Sequence, residues 1–302
     1  MPVFIHDQDG HADDHVATLL LACHPAVDLR AVIVNSGDSL PEVSARVLAE
    51  LLDQLGHGRV PVAWQHHAVP HPFPLAWQRE SLNYERDFPG AQGRVCPADG
   101  TDLLIRALLE STEPATLLVT GPLSNLDAAL RRAPQIAKRL ARVVLMAGGL
   151  EAGGNGAGEP GHDGSGEWNL YCDPKAAARC LKLPLPFEVL TLDVTNFVPL
   201  TGAFLARLGD SPGRAARMAR TLLGGVEQQD YYCWDTFAAL LACEPDFLPS
   251  QTLPLRVRTD PPVEGRLEVH PAGTPAQVWH PVEVERLTAR VQERFLTLLG
   301  GR

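Results

Sequence analysis

The sequence has no CxxC pair, and its six cysteines (Cys23, Cys96, Cys172, Cys180, Cys233 and Cys243) follow no disulfide-framework spacing. That excludes a disulfide-stapled secreted scaffold and reads as reduced, mostly buried thiols in a cytoplasmic protein. No apolar run is long enough to span a bilayer. The N-terminus lacks the charged region and cleavage site of a secretory leader. Basic residues are in deficit: 26 Lys and Arg stand against 36 Asp and Glu, a net charge of -10. No basic stripe offsets this, since Arg131, Arg132, Lys138, Arg139 and Arg142 read as the solvated face of a helix. A nucleic-acid partner and an anionic membrane surface both need a basic footprint and are excluded. No internal repeat or low-complexity linker divides the chain. What remains is a chain of 302 residues, 45% hydrophobic, with ample material for one large core, read as a single domain over 1–302.

Short β-branched runs alternate with helical patterns. Residues 3–5, 31–34, 116–119, 143–146 and 187–192 read as strands, and 15–23, 41–55, 102–109, 125–132 and 174–181 as helices. This alternation predicts an α/β fold with a mostly parallel central sheet flanked by helices and a Rossmann-like core. The active site is then expected at the carboxyl ends of the strands. The chain after Thr201 reads as mainly helical, apart from an extended stretch at 253–258, and closes with a helix from about 282 to 299. Two irregular segments are long enough to be active-site loops. One, near 64–100, is rich in Pro, His and aromatics and carries Trp77. The other, 147–168, holds nine glycines between Gly148 and Gly166 and ends in Glu167-Trp168-Asn169.

Chemistry concentrates at His6-Asp7-Gln8-Asp9-Gly10-His11-Ala12-Asp13-Asp14, four carboxylates within eight residues after a buried strand. Crowded like charges raise one another's pKa unless a cation neutralises them, and a hard divalent cation prefers carboxylate oxygens. Helix capping alone would account for Asp13 and Asp14 but not for Asp7 and Asp9. Asp235, at the start of an apolar helix, is a candidate ligand from far along the chain, although an N-cap role would also place an Asp there. The interleaved His6, His11 and His15 leave zinc, manganese or iron open beside calcium.

Several motifs together resemble the nucleoside hydrolases over most of the chain. They are Asp7-x-Asp9-x-x-x-Asp13-Asp14, then Val119-Thr120-Gly121-Pro122-Leu123-Ser124-Asn125, then Val144-Leu145-Met146-Ala147-Gly148-Gly149, Glu167-Trp168-Asn169 with Asp173-Pro174, and Trp234-Asp235. Trp234 in place of His, Trp168 in place of Phe, Asp38 after the second strand, and the Pro72-Phe73-Pro74-Leu75-Ala76-Trp77 loop each resemble the purine-preferring branch. His11 departs from that branch, which has Asn there.

The resemblance implies calcium-dependent hydrolysis of the N-glycosidic bond of purine ribonucleosides. It implies Ca²⁺ held by Asp9, Asp14, Asp235 and the Thr120 carbonyl, with Asp9 as general base and Asp7 supporting the cluster from behind. Asp13, Glu167 and Asn169, joined by Asn155, are expected on the ribose, with Asp38 and His11 also among the substrate contacts. Trp77, Trp168 and Trp234 are expected to stack the base, Trp234 aiding its departure. Cation–π attraction of about 0.5–2 kcal/mol per face favours a protonated purine and could replace a dedicated acid. Core packing is the ordinary use of each tryptophan taken singly. The resemblance also implies a homodimer. Two other readings compete: a magnesium-dependent phosphatase of the HAD type, which likewise opens with DxD after a first strand, and a purine-nucleoside binding protein without turnover.

Overall fold

A computed structural model describes residues 1–89, 95–96, 99–156 and 159–301. Parts of both expected loops, residues 90–94, 97–98 and 157–158, lie outside the described residues.

The strands are β1 (Val3–Gln8), β2 (Asp28–Val34), β3 (Val62–Trp64), β4 (Ala115–Val119), β5 (Leu140–Met146), β6 (Phe187–Leu190), β7 (Ser250–Val257), β8 (Leu267–Val269) and β9 (Thr274–Trp279). They form one sheet in the order β3-β2-β1-β4-β5-β6-β9-β7-β8. Pairing is parallel from β3 through β9, and β7 runs antiparallel to both β9 and β8. The expected mostly parallel α/β sheet is therefore present, with an antiparallel extension at one edge.

Both faces of the sheet are covered, which is why its central strands are apolar in nearly continuous runs. Phe4, Val32, Leu118 and Val144 face a layer that includes the helices Ala12–Cys23, Pro41–Gln54, Arg214–Gly224, Trp234–Cys243 and Val284–Gly300. The alternate residues Ile5, Ile33, Leu117 and Val143 face Gly100–Glu110, Ser124–Arg132 and Pro174–Leu181. None of the six cysteines, all among the described residues, forms a disulfide. Among the described residues no helix is long and apolar enough to cross a membrane.

The chain leaves β1 toward β2 on one side and later returns to β4 on the other. The carboxyl ends of β1 and β4 thus flank a topological switch point, where such sheets bind ligands. Gly10 makes the tight exit from β1 possible. Its φ is +87°, and a Cβ there would come within 2.6 Å of Ser44 Cβ.

Candidate active site

A cavity of about 320 Å³ opens at that switch point, within the size range of small-molecule sites. Asp9 follows β1, Asp38 follows β2, Thr120 follows β4 and Met146 ends β5; all four line the cavity. Of the residues expected in the site, His11, Asp14, Trp77, Asn155, Glu167, Trp168, Asn169, Trp234 and Asp235 line it as well. Side chains more than 200 positions apart in sequence therefore meet in one place.

The carboxylates carry the electrostatics. Asp9, Asp14 and Asp235 are buried. Burial, then repulsion from Asp14 and Asp38, pushes Asp9 well above the usual carboxylate range; Asp235 is pushed up likewise by burial and by Asp14, Asp13 and Asp9. Asp14 is raised by burial, opposed by hydrogen bonds from Thr120 and Asp9. The Thr120 hydroxyl donates to Asp14 (2.5 Å), and its oxygen also pairs with Nε2 of the buried His6 (3.0 Å). Glu167 is raised to about 7 by burial, although the amides of Gly148 (3.0 Å), Asn169 (2.9 Å) and Leu170 (3.3 Å) donate to it. The Asn169 side-chain Nδ2 donates to the carbonyls of Met146 (3.1 Å) and Thr120 (3.3 Å).

Asp9 sits in a cradle of bare backbone. A Cβ on Gly37 would overlap its carboxylate, and one on Gly121 would lie 2.8 Å from its Cβ.

Asp13 and Asp7 both face the protein, Asp13 in place of the expected ribose contact. Asp13 is fully buried and absent from the cavity wall; it accepts from the Asp235 amide (2.6 Å) and from the Thr236 hydroxyl. It caps the helix Trp234–Cys243 and so carries Asp235 into place. Asp7 points to the other side of the turn, where the Asn125 amide donates to it at 3.2 Å, and burial raises it to about 8.

Aromatic rings form the remaining wall in two groups. Trp168 packs against Phe73 (centroids 4.6 Å apart) and edge-on to Trp77 (5.4 Å), with Trp77 itself 41% exposed. Trp234 packs edge-on to Tyr231 at 4.7 Å. The Trp234 indole N–H and one Asp38 oxygen are buried with no protein hydrogen-bond partner, so both stand available to a bound molecule. The sequence reading did not single out Phe73, Glu80, Met146, Gln229, Asp230 and Tyr231 as site residues, although all line the cavity. Several come from segments without periodicity. The usable signals were Glu80, three residues beyond Trp77, and Tyr231-Tyr232, directly ahead of Trp234.

The glycine-rich segment is pinned from both ends. Asn155 Oδ1 accepts from the Trp168 amide (2.9 Å). At the other end Asp193, just after β6, accepts from the amides of Leu150 (2.8 Å), Glu151 (2.7 Å) and Ala152 (2.7 Å). Partial burial raises the Asp193 pKa, but the hydrogen bonds it accepts, led by those from the amides of Leu150 and Ala152, together outweigh it and leave the group below its ordinary value. A depressed carboxylate stabilises the fold above the unfolded-state pKa of about 3.9 and loses that contribution as pH falls through its folded value. Asp193→Asn should therefore cost about 1–2 kcal/mol at pH 7, allowing for its partial exposure, or roughly 2–4 °C in melting temperature. Melts of both proteins from pH 7 downward should converge as the pH drops below about 4; a constant gap would remove the ionised carboxylate from the explanation.

The donor chemistry suits a hard divalent cation. Asp9, Asp14, Asp38, Glu80, Glu167, Asp230 and Asp235 line the cavity, and among the described lining residues there is no Lys, Arg or Cys. Repelling buried carboxylates call for cationic charge from outside the protein. Among the described residues, no three acids, histidines or cysteines already form a finished cation cage. The fit therefore rests on the kind and burial of the donors.

A doubly wound sheet with an acidic, aromatic-walled cavity at its switch point defines an α/β protein with a cavity of small-molecule size at its strand ends. Within that class the chain belongs to the inosine-uridine preferring nucleoside hydrolase family, whose model matches residues 4–295. The fold is similar to that of the inosine-uridine preferring nucleoside hydrolase from Bacillus anthracis, with 29% identity and a TM-score of 0.89 over 99% of this chain and 100% of that one. It is also similar to that of a purine-preferring ribonucleoside hydrolase from Gardnerella vaginalis, with 23% identity and a TM-score of 0.83 over 99% and 100% of the two chains. By sequence, the chain is 30% identical over 203 residues to the pyrimidine-specific ribonucleoside hydrolase RihA of Photobacterium profundum, covering 65% of this chain and 61% of that protein. It is 28% identical over 218 residues to RihA of Klebsiella pneumoniae, covering 68% and 65%. The chain thus spans less than two thirds of the length of these relatives. Family membership displaces the phosphatase reading.

Proposed function

We propose that the protein hydrolyses the N-glycosidic bond of purine ribonucleosides, with calcium as its metal ion. The observation that carries this reading is the convergence of Asp9, Asp14, Asp235 and Thr120 with Trp77, Trp168 and Trp234 on one cavity. Asp9, Asp14, Asp235 and the Thr120 carbonyl would hold the ion. When bound, such an ion supplies the positive charge that makes water more acidic and anchors ribose oxygens. Asp9 takes the proton from the attacking water as general base. Water adds to C1′ as the bond to the base breaks, leaving ribose and free base through an oxocarbenium-like state. Glu167 and Asn169, braced by backbone groups, orient the sugar hydroxyls. The tryptophans and the unpartnered Asp38 oxygen receive the purine. The chain acts as a homodimer in this reading, which sedimentation would check.

The RihA relatives motivate a second reading, a preference for pyrimidine bases. The three indoles favour the larger base, because stacked area grows with ring size. The deciding experiment is base release from inosine, adenosine, guanosine, uridine and cytidine, with calcium and after chelation. Purine kcat/KM should exceed that for uridine and cytidine by at least about tenfold, as one extra ring contact allows, and chelation should remove activity. Faster cleavage of uridine or cytidine would overturn the purine assignment. Activity that survives chelation would overturn the metal. Binding of inosine without release of base would leave a nucleoside-binding protein.

A further inference from the structure

The sequence reading places His11 on the substrate, yet both of its ring nitrogens are engaged by protein groups. Nδ1 lies 2.9 Å from the Tyr231 hydroxyl. Nε2 lies 3.2 Å from the Tyr84 hydroxyl and 3.3 Å from Glu80 Oε2. An imidazole has only these two hydrogen-bonding positions, and this one is 6% exposed. Its ring stands edge-on to Tyr84 at 5.6 Å and tilted against Tyr231 at 5.7 Å.

Its partners belong to segments remote from one another. Glu80 and Tyr84 follow the short helix Leu75–Gln78 that carries Trp77, and the Glu80 amide donates to the Trp77 carbonyl at 2.8 Å. Tyr231 stands three residues before Trp234. Glu80 and Gln229 both line the cavity as well. One imidazole at the end of β1 therefore ties the Trp77 segment to the Trp234 segment. Each segment is anchored on its own side, one by buried Ser81 and Tyr84 and the Arg46–Glu85 pair, the other by buried Val226 and Tyr231; Leu75, Trp77 and Leu82 are exposed, and His11 joins the two segments to each other.

We propose that His11 is a positioning residue: with Tyr231 and Glu80 as its two arms, it clasps the Trp77 and Trp234 segments together and so sets the gap that receives the leaving base. The clasp is a feature of the free protein; only the identity of what fills the gap rests on the nucleoside hydrolase reading. Loss of the clasp spoils the fit of the base while leaving Asp9, Glu167 and Asn169 in place and Trp234 on its own Asp13-capped helix, so binding suffers more than the chemical step.

The test pairs amide hydrogen exchange of the free protein with steady-state kinetics on inosine. In His11→Ala, exchange should quicken by about tenfold across residues 75–87 and 226–233 and stay unchanged in β1, β4 and β5. KM should rise by about tenfold, with kcat within about threefold of the parent. His11→Asn, whose amide reaches only the Nδ1 position, should restore protection at 226–233 but not at 75–87. Tyr231→Phe, which cuts only the Nδ1 arm, should quicken exchange at 226–233 and spare 75–87, and the double variant should be no worse than His11→Ala alone, since His11→Ala already removes that link. Additive losses, unchanged exchange in both segments, or a fall in kcat at constant KM would each overturn the clasp. Should His11→Ala fail to fold, Tyr231→Phe and Glu80→Gln carry the same comparison. A parent protein that cleaves no nucleoside would overturn the functional reading, while the exchange measurement still decides the clasp.

Discussion

Asp9→Asn should lower nucleoside turnover by at least about 10³-fold and yet raise the melting temperature of the chelated protein. Both effects follow from the same carboxylate. Asparagine matches aspartate in shape, so it fits the cradle formed by Gly37 and Gly121, but it has no carboxylate to take a proton from water. The stability effect has the opposite sign because Asp9 is buried beside Asp14 and Asp38, which repel it. Neutralising one member of such a group relieves strain on the order of 1 kcal/mol, roughly 2 °C for a chain of this size. Calcium should reverse the order of the two proteins, since the Asp9 carboxylate then attracts the ion while the neutral amide that replaces it in the variant is a weaker donor. Release of base measures the first effect and calorimetry, with chelator and with calcium, the second. Retention of more than about a tenth of the activity would take Asp9 out of the general-base role. A lower melting temperature in chelator would show that the carboxylate is stabilised by its surroundings rather than repelled.

The part of this architecture that sequence reveals is the part built from periodic, buried elements. The strands of the central sheet, β1, β2, β4, β5 and β6, are apolar because both their faces are covered, and that leaves a run of β-branched residues in the sequence. Other elements carry no such mark. β3 has only three residues, Val62–Trp64, after Pro61. β8 has three as well, and β9 contains Pro275, which sequence reading takes as a strand breaker. The site divides in the same way. Asp9 and Asp14 are legible from crowding of charge after a strand, and Asp235 from its place before an apolar helix. The direction each side chain takes is a tertiary matter. Asp13 and Asp14 are neighbours in sequence, yet one caps a helix from the far end of the chain and the other faces the cavity. His11 is expected on the substrate because it stands where the resembled branch has Asn; its three hydroxyl and carboxylate partners come from positions 80, 84 and 231, which no local pattern connects.

Trp234→Ala should reduce kcat on inosine by about 30-fold, while kcat on a nitrophenyl riboside falls less than about threefold. The first number corresponds to about 2 kcal/mol, the upper end for one desolvated indole face against a cation. A purine leaves well only when protonated, and protonation makes it cationic; an electron-rich ring face stabilises that form more than the neutral ground state. Nitrophenolate needs no proton to depart, so its cleavage takes nothing from the cation–π interaction and loses only packing. The indole has a second capacity here, since its buried N–H has no protein partner. An unsatisfied buried donor costs about 1–3 kcal/mol until a ligand acceptor meets it, which gives the N–H a role in binding that the ring face does not share. Trp234→Phe separates the two: it keeps a face against Tyr231, 4.7 Å away in the parent, and loses the donor. Its main effect should be on KM for inosine, with kcat closer to the parent than in Trp234→Ala. Equal losses on inosine and the nitrophenyl riboside in Trp234→Ala would count against leaving-group activation and leave Trp234 as a packing wall for the base.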